Sequence, residues 1–203
     1  MTRLYIVRHG ETEWNRDGKL QGWKNAPLTD LGIKQAEKLR DRLQKEDIDI
    51  AYCSPLGRTC ETAEILLDGR DIEMFEDEGL KEINMGEWEG KKAEIVKEKS
   101  PAEFKTFWER PDLYKPKDGE SFYEVQERVL SSLYKIIEKH QGENILLVTH
   151  GGASKIIMAH FEERPMSELW GPPKMKEASL SVVDIEDGKA DIELFADTSH
   201  YEE

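Results

Sequence analysis

Leu4-Tyr5-Ile6-Val7-Arg8-His9-Gly10 is the stretch from which the rest of the chain is read. Its short apolar run ends in a polar, glycine-containing segment, the pattern of a strand running into a loop. The pattern returns at Ile145-Leu146-Leu147-Val148-Thr149-His150-Gly151. There the strand is nearly continuously apolar, as expected of a strand covered on both faces. Between and around these two strands the chain alternates. Thr29 caps a predicted helix, Asp30 suits its first turn, and Ile33, Ala36, Leu39 and Leu43 keep a helical period. Residues 48–53 form a second strand. Ser54-Pro55 reads as the N-cap and first residue of a helix that carries Arg58 and runs to about Leu67. Residues 72–75 form a third strand. Ser121-Phe122-Tyr123-Glu124 is a capping box that opens a helix reaching about His140, with Phe122, Val125, Val129, Leu133 and Ile136 as its buried stripe. A further helix starts at about Ala153. Residues 180–185 and 191–195 flank Asp187-Gly188 and predict a terminal hairpin. Strands alternating with helices define a three-layer α/β/α sandwich around a mostly parallel central sheet. Ligands of such sheets sit outside the carboxyl ends of the strands, where His9 and His150 both fall.

Length and composition bound the function. The chain has 203 residues, 43 acids against 29 bases, and a net charge of −14. We expect a single domain over residues 1–203, large enough to need no covalent staples. The acidic balance argues against a nucleic-acid partner, whose phosphates would be repelled, while leaving room for a small anion in a local basic pocket. No apolar run approaches the roughly 20 residues of a membrane span. The N-terminus enters a strand at once and leaves no space for a signal peptide. A cytoplasmic protein is expected. Two cysteines make no disulfide framework, and no zinc-ligand spacing is seen, so no metal and no cofactor are predicted. From residue 79 to about 117 the periodicity breaks down. Charge is dense, aromatic residues are interspersed, and Pro101, Pro111 and Pro116 interrupt any long helix. This segment is read as a small inserted helical cap.

Arg8-His9-Gly10-Glu11-Thr12 is followed by Trp14-Asn15, Gln21-Gly22-Trp23, Leu28-Thr29 with Gly32, and Ser54-Pro55-Leu56 with Arg58-Thr59. Then come Leu80-Lys81-Glu82-Ile83, Gly86-Glu87-Trp88-Glu89-Gly90, Val148-Thr149-His150-Gly151-Gly152 and Asp197-Thr198-Ser199-His200. In this order the motifs resemble the histidine phosphatase superfamily, which includes the cofactor-dependent phosphoglycerate mutases, and the resemblance spans essentially the whole chain. It implies that His9 is the nucleophile, a neutral imidazole that takes the phosphoryl group while its other ring nitrogen donates to a fixed acceptor. Arg8 and Arg58 grip the phosphoryl oxygens with planar forks of donors whose charge persists at working pH. His150 is the second pocket histidine, with the Gly151 amide behind it. Asn15 is a further phosphate contact, and Gln21 and Gly22 belong to the substrate-binding positions. Only the pattern Leu-x-Glu-x-x-x-Gly-x-Trp-Glu-Gly singles out Glu82 as general acid, because Glu87 and Glu89 nearby are equally acidic.

The implied activity is metal-independent hydrolysis of small phosphorylated metabolites through a phosphohistidine. Two alternatives stand beside it. A mutase would return the phosphoryl group to the bound sugar acid, although the family's mutases carry a longer insertion between the acid and the second histidine than residues 83–149 supply. A non-catalytic phospholigand-binding module would lack part of the set His9, Arg8, Arg58, Glu82 and His150, which is intact here. Trp23, Met85, Trp88, Trp108 and Tyr114 divide between leaving-group pocket and ordinary packing. His140, His160 and His200 are expected at structural or surface positions. Cys53 and Cys60 are read as small buried apolar residues. No exposed apolar helix face marks an interface, and a homodimer is the expectation only because it is the common arrangement of soluble enzymes.

Overall fold

The computed structural model describes residues 1–201. Six strands form one sheet in the order β3-β2-β4-β1-β5-β6. β1 (Thr2–Arg8), β2 (Ile50–Cys53), β3 (Met74–Glu76) and β4 (Asn144–Thr149) run parallel; β5 (Leu180–Glu186) and β6 (Lys189–Asp197) complete the sheet in antiparallel pairing. The last two strands join through Asp187 and Gly188, both at positive φ (50° and 76°), as a two-residue hairpin turn requires.

Side chains alternate across the central strands. Leu4, Ile6, Ile145 and Leu147 enter one core, and Tyr5, Val7, Leu146 and Val148 enter the other. On one face lie α2 (Asp30–Leu43) and α3 (Gly57–Leu67), which bury Leu39, Leu43, Ala63 and Leu66. The opposite face is covered by α6 (Phe122–Lys139) and α7 (Gly151–Phe161), through Val125, Val129, Leu133, Ile156 and Ile157. The three-layer arrangement with a mostly parallel sheet is therefore present. Thr29 caps α2 by accepting from the Gly32 amide, and the Ser121–Glu124 capping box opens α6 with both reciprocal bonds made. Gly32 is required at that start, because a Cβ there would collide with the Glu11 backbone.

Other elements depart from expectation. The helix after β2 starts at Gly57 with Leu56 at its N-cap, so Ser54 is no cap and Pro55 is not the first helical residue. The Ser54 hydroxyl is instead 2.8 Å from His150 Nε2, and the Ser54 carbonyl accepts from Thr59 Oγ1 at 2.8 Å. These contacts engage Ser54 elsewhere, and the helix begins two residues later than expected. A short helix α1 (Glu13–Arg16), capped by Thr12, occupies what read as loop. β2 starts two residues later than expected, β3 is displaced to Met74–Glu76, and α7 starts two residues earlier, with His150 at its N-cap.

Between β3 and α6 lie α4 (Ala93–Lys99), α5 (Pro101–Glu109) and three single 3-10 turns. Phe107 ties this stretch to the body, with ring centroids 4.9 Å from Phe122 of α6 and 5.7 Å from Trp170. Trp88 and Tyr114 are packed in that core. The five lysines between Lys91 and Lys105 are exposed. Among the described residues, no helix is long and apolar enough to cross a membrane.

Candidate active site

β1 and β4 are adjacent and parallel, with Arg8 opposite Thr149. The chain leaves β1 toward α2 on one face and leaves β4 into α7 on the other, so a crevice opens at their carboxyl ends. His9 and His150 emerge there side by side, buried, with ring centroids 5.3 Å apart and planes at 65°.

His9 Nδ1 lies 2.8 Å from the Gly10 carbonyl oxygen. A carbonyl only accepts, so Nδ1 holds the proton and donates it. Nε2 then carries the lone pair, which accepts from Arg58 Nε at 3.3 Å. Burial, followed by the charges of Arg58 and Arg8, holds the His9 pKa well below the ordinary histidine range. His9 is thus a neutral imidazole in the tautomer that a nucleophile needs. His150 is held neutral by burial first, then by Arg58, His9 and Arg8. Its Nε2 meets Ser54 Oγ, and its buried Nδ1 has no hydrogen-bond partner in the protein.

Arg58 is 1% exposed and stretched between two backbone carbonyls: Nη2 donates to Gly22 at 2.8 Å and Nη1 to Lys24 at 2.9 Å. Burial draws its pKa down to about 10, opposed by the charge of Glu82, and it remains cationic at neutral pH. The loop presenting those carbonyls is shaped by Glu89. The Glu89 carboxylate accepts from the amides of Trp23 (2.9 Å), Lys24 (2.9 Å) and Met85 (3.1 Å). Gly22 sits in the left-handed region (φ 55°), and a Cβ there would strike the same carboxylate. Arg8 donates from Nη1 to the Met175 carbonyl at 2.6 Å and pairs through Nη2 with Glu177 at 2.8 Å, while its buried Nε has no partner.

Glu82 reaches the crevice from the loop after β3. Its Oε1 accepts from the Ile83 amide at 2.9 Å and its Oε2 from the Gly152 amide, in the first turn of α7, at 3.0 Å. The structure separates the three glutamates that the local sequence could not. Glu82 faces the cavity, Glu89 is consumed by backbone amides, and Glu87 is exposed beside Lys91.

These groups line one cavity of about 420 Å3. Arg8, His9, Arg58 and Glu82 lie on its wall together with Asn15, Gln21, Gly22 and Gly151. His150 alone of the expected residues is not on the wall; it stands behind the His9 ring. Asn15 Oδ1 accepts from the Thr12 amide and hydroxyl (3.1 and 2.8 Å), while Gln21 Nε2 donates to the same hydroxyl at 2.6 Å and leaves Oε1 buried without a partner. The remaining wall combines apolar side chains, among them Leu20, Met85, Phe107, Trp108 and Trp170, with Lys19, Lys155 and Lys174. Of the aromatic candidates, Trp108 lines the cavity, whereas Trp88 and Tyr114 are core and Trp23 is half-exposed, its indole donating to the Glu82 carbonyl at 2.8 Å.

Ser54, Glu89, Arg128 and Lys155 were not read from the sequence as parts of the site. Lys155 is 3% exposed, lines the cavity, and donates to the Gly171 carbonyl. Burial, then the charge of Arg164, draws its pKa down to about 8, and no carboxylate lies within ion-pair distance among the described residues. Its one legible signal is position, a single helical turn after Gly151. His140 is bound to Tyr52 and Glu143, and His160 to Tyr134, away from the cavity. Cys53 is buried and Cys60 half-buried, with their sulfurs 3.8 Å apart.

The sequence profile of the histidine phosphatase superfamily (branch 1) matches residues 4–198, and the chain belongs to that family. Among its relatives, the metal-independent phosphoserine phosphatase of Arabidopsis thaliana is 34% identical over 203 residues, covering 98% of this chain and 83% of the relative. Phosphoglycerate mutase-like protein 4 of the same plant is 35% identical over 205 residues, covering 98% and 87%. The solved structure of Bacillus stearothermophilus YhfR superposes with a TM-score of 0.97 at 41% identity over the whole of both chains.

Proposed function

We propose that this protein is a metal-independent phosphomonoester hydrolase that works in two steps through a phosphohistidine. The observation that carries the reading is the state of His9: neutral, with Nδ1 tied to Gly10 and the Nε2 lone pair turned toward Arg58 in the cavity. In the first step Nε2 attacks phosphorus and the bond from phosphorus to the ester oxygen breaks. The departing oxygen takes its electron pair and a proton from the Glu82 carboxyl. In the second step Glu82 receives a proton from water, the water oxygen attacks phosphorus, and the phosphorus–nitrogen bond breaks to release phosphate. Arg8 and Arg58 meet the charge on the transferring group, the main demand of phosphoryl transfer. Asn15, with its oxygen engaged by Thr12, offers its amino group to the phosphoryl oxygens, and His150 offers Nδ1.

Residues 1–203 act as one cytoplasmic domain in this reading, with the segment 79–117 as a cap over the leaving group. Phe107 and Trp108 on the cavity wall support that role for the cap. The leaving group is a small hydroxy acid such as serine. Support comes from Lys155, a buried cation without a carboxylate partner, from the unpartnered Gln21 acceptor, and from the phosphoserine phosphatase relative. The mutase-like relative keeps a second outcome in view, return of the phosphoryl group to a bound acid.

The test is hydrolysis of p-nitrophenyl phosphate and phosphoserine in EDTA by native protein and His9→Ala, with quenching in alkaline detergent to preserve the alkali-stable, acid-labile phosphoenzyme. Turnover with a labelled intermediate, both absent in the variant, is expected. Turnover without such an intermediate refutes the mechanism. Activity on 3-phosphoglycerate that needs a bisphosphate primer transfers the protein to the mutases.

A further inference from the structure

Arg128 lies on α6, off the cavity wall, yet fastens the loop that carries Glu82. A guanidinium has five N–H donors, and the Arg128 side chain makes five hydrogen bonds. Nε donates to Glu120 Oε1 at 2.7 Å and Nη2 to Glu120 Oε2 at 2.8 Å. The other three go to backbone carbonyls: Gly79 at 3.0 Å, Lys81 at 2.7 Å and Glu82 itself at 2.7 Å. Glu120 extends the clasp, because its Oε2 also accepts from the Asn84 amide at 2.8 Å. The pair thus grips the chain on both sides of Glu82, and both side chains are about four-fifths buried. An ordinary surface ion pair holds no backbone; this one holds four residues of a single loop.

We propose that Arg128, oriented by Glu120, is a positioning residue for proton transfer by Glu82. The inference rests on the assignment of Glu82 as the acid. With the backbone held, the two amide contacts of the Glu82 carboxyl determine where its free edge points. Misplacement of a catalytic group by about 1 Å costs on the order of 100-fold in rate.

Substrates of different leaving-group basicity separate positioning from general damage. p-Nitrophenolate departs with little need of a proton, whereas the alkoxide of glycerol 2-phosphate cannot depart without one. kcat/KM is measured on both for Arg128→Lys, which keeps the charge but not the fork, and for Glu120→Gln, with Glu82→Gln as reference and inhibition by inorganic phosphate as the binding control. For both clasp variants we expect a loss at least ~10-fold greater on glycerol 2-phosphate than on p-nitrophenyl phosphate, with phosphate inhibition within about 2-fold of native. Equal losses on the two substrates in folded variants overturn the proposal while Glu82→Gln discriminates between them. If Glu82→Gln itself fails to discriminate, the acid assignment falls and the proposal falls with it. Glu120→Gln keeps side-chain shape, so it decides the matter should Arg128→Lys fail to fold.

Discussion

Lowering the pH from 7.5 to 5.5 should destabilise the folded protein by about 3 kcal/mol through His9 and His150 alone. Both rings are buried and held neutral, their pKa values pushed well below the ordinary range by burial and by neighbouring arginines. In the unfolded chain each returns to about 6.5. A group whose folded value is depressed contributes stability that is complete above the unfolded value. That stability is lost as pH falls, because the unfolded state then binds a proton that the native state refuses. For one such group the loss between pH 7.5 and 5.5 is between about 1 and 2 kcal/mol, and the two sites sum to roughly 3 kcal/mol. This is a large share of the 5–15 kcal/mol typical of a domain. His200, drawn down to about 4 by burial and Arg42, acts in the same direction, with smaller weight because it is only partly buried. Carboxylates titrate near pH 4 when unfolded and add little in this window. The assay is urea unfolding followed by the fluorescence of the five tryptophans, at three pH values in phosphate-free buffer, since bound phosphate would stabilise the native state by mass action. His9→Asn should remove about half of the pH dependence. Unfolding free energies that agree within about 0.5 kcal/mol across the range would show that these imidazoles do not stay neutral on folding, and the argument for the lone pair on His9 would fail with them.

Three further outcomes follow from the geometry. Gly152→Ala places a Cβ against Glu82 Oε1, the end of a movable side chain; the protein should fold, and kcat on alkyl phosphates should fall about 100-fold, a result that unchanged steady-state kinetics would contradict. Glu89→Ala removes the acceptor of three backbone amides; stability should drop by about 2 kcal/mol in thermal or urea unfolding, and KM should rise as the carbonyls of Gly22 and Lys24 lose their hold on Arg58. Lys155→Met exchanges a buried cation for an apolar side chain of similar length; kcat/KM should fall about 10-fold on phosphoserine, where one charged contact is lost, while p-nitrophenyl phosphate hydrolysis and the unfolding midpoint do not decline. A uniform loss on both substrates would remove Lys155 from leaving-group recognition.

What the sequence disclosed about this molecule was what local chemistry determines. The apolar runs ending at Arg8-His9 and Thr149-His150 are the two central parallel strands, because burial on both faces leaves no other composition for them. Thr29 and Ser121 are caps because the groups they bond lie three residues away. Ser54 carries the same local signature as those caps, and its hydroxyl faces a histidine nearly a hundred residues later in the chain. No window of sequence contains that partner. The roles of Arg128 and Glu89 are invisible in sequence for a related reason. Most of their partners are main-chain atoms, and a main-chain atom has no signature in the residue alphabet. The motif pattern could set Glu82 apart from Glu87 and Glu89 only through family resemblance, whereas the fold does so by direction: toward the cavity, toward solvent, and toward the backbone of residues 23, 24 and 85.

The adjacency of β1 and β4 also has a meaning in time. His9 leaves the first strand to be synthesised and His150 the fourth, with most of the chain between them, so the two rings are not brought together until that long loop closes. Parallel pairing over such a separation is slow, since the entropy of closure is lost before the contacts that reward it are made. Recovered phosphatase activity during refolding should therefore trail the burial of tryptophan fluorescence and never precede it. A nascent chain released before residue 149 would carry His9, Arg8 and Arg58 yet should remain silent. The proposed reaction therefore becomes possible only once β1 and β4 have joined at the centre of the sheet.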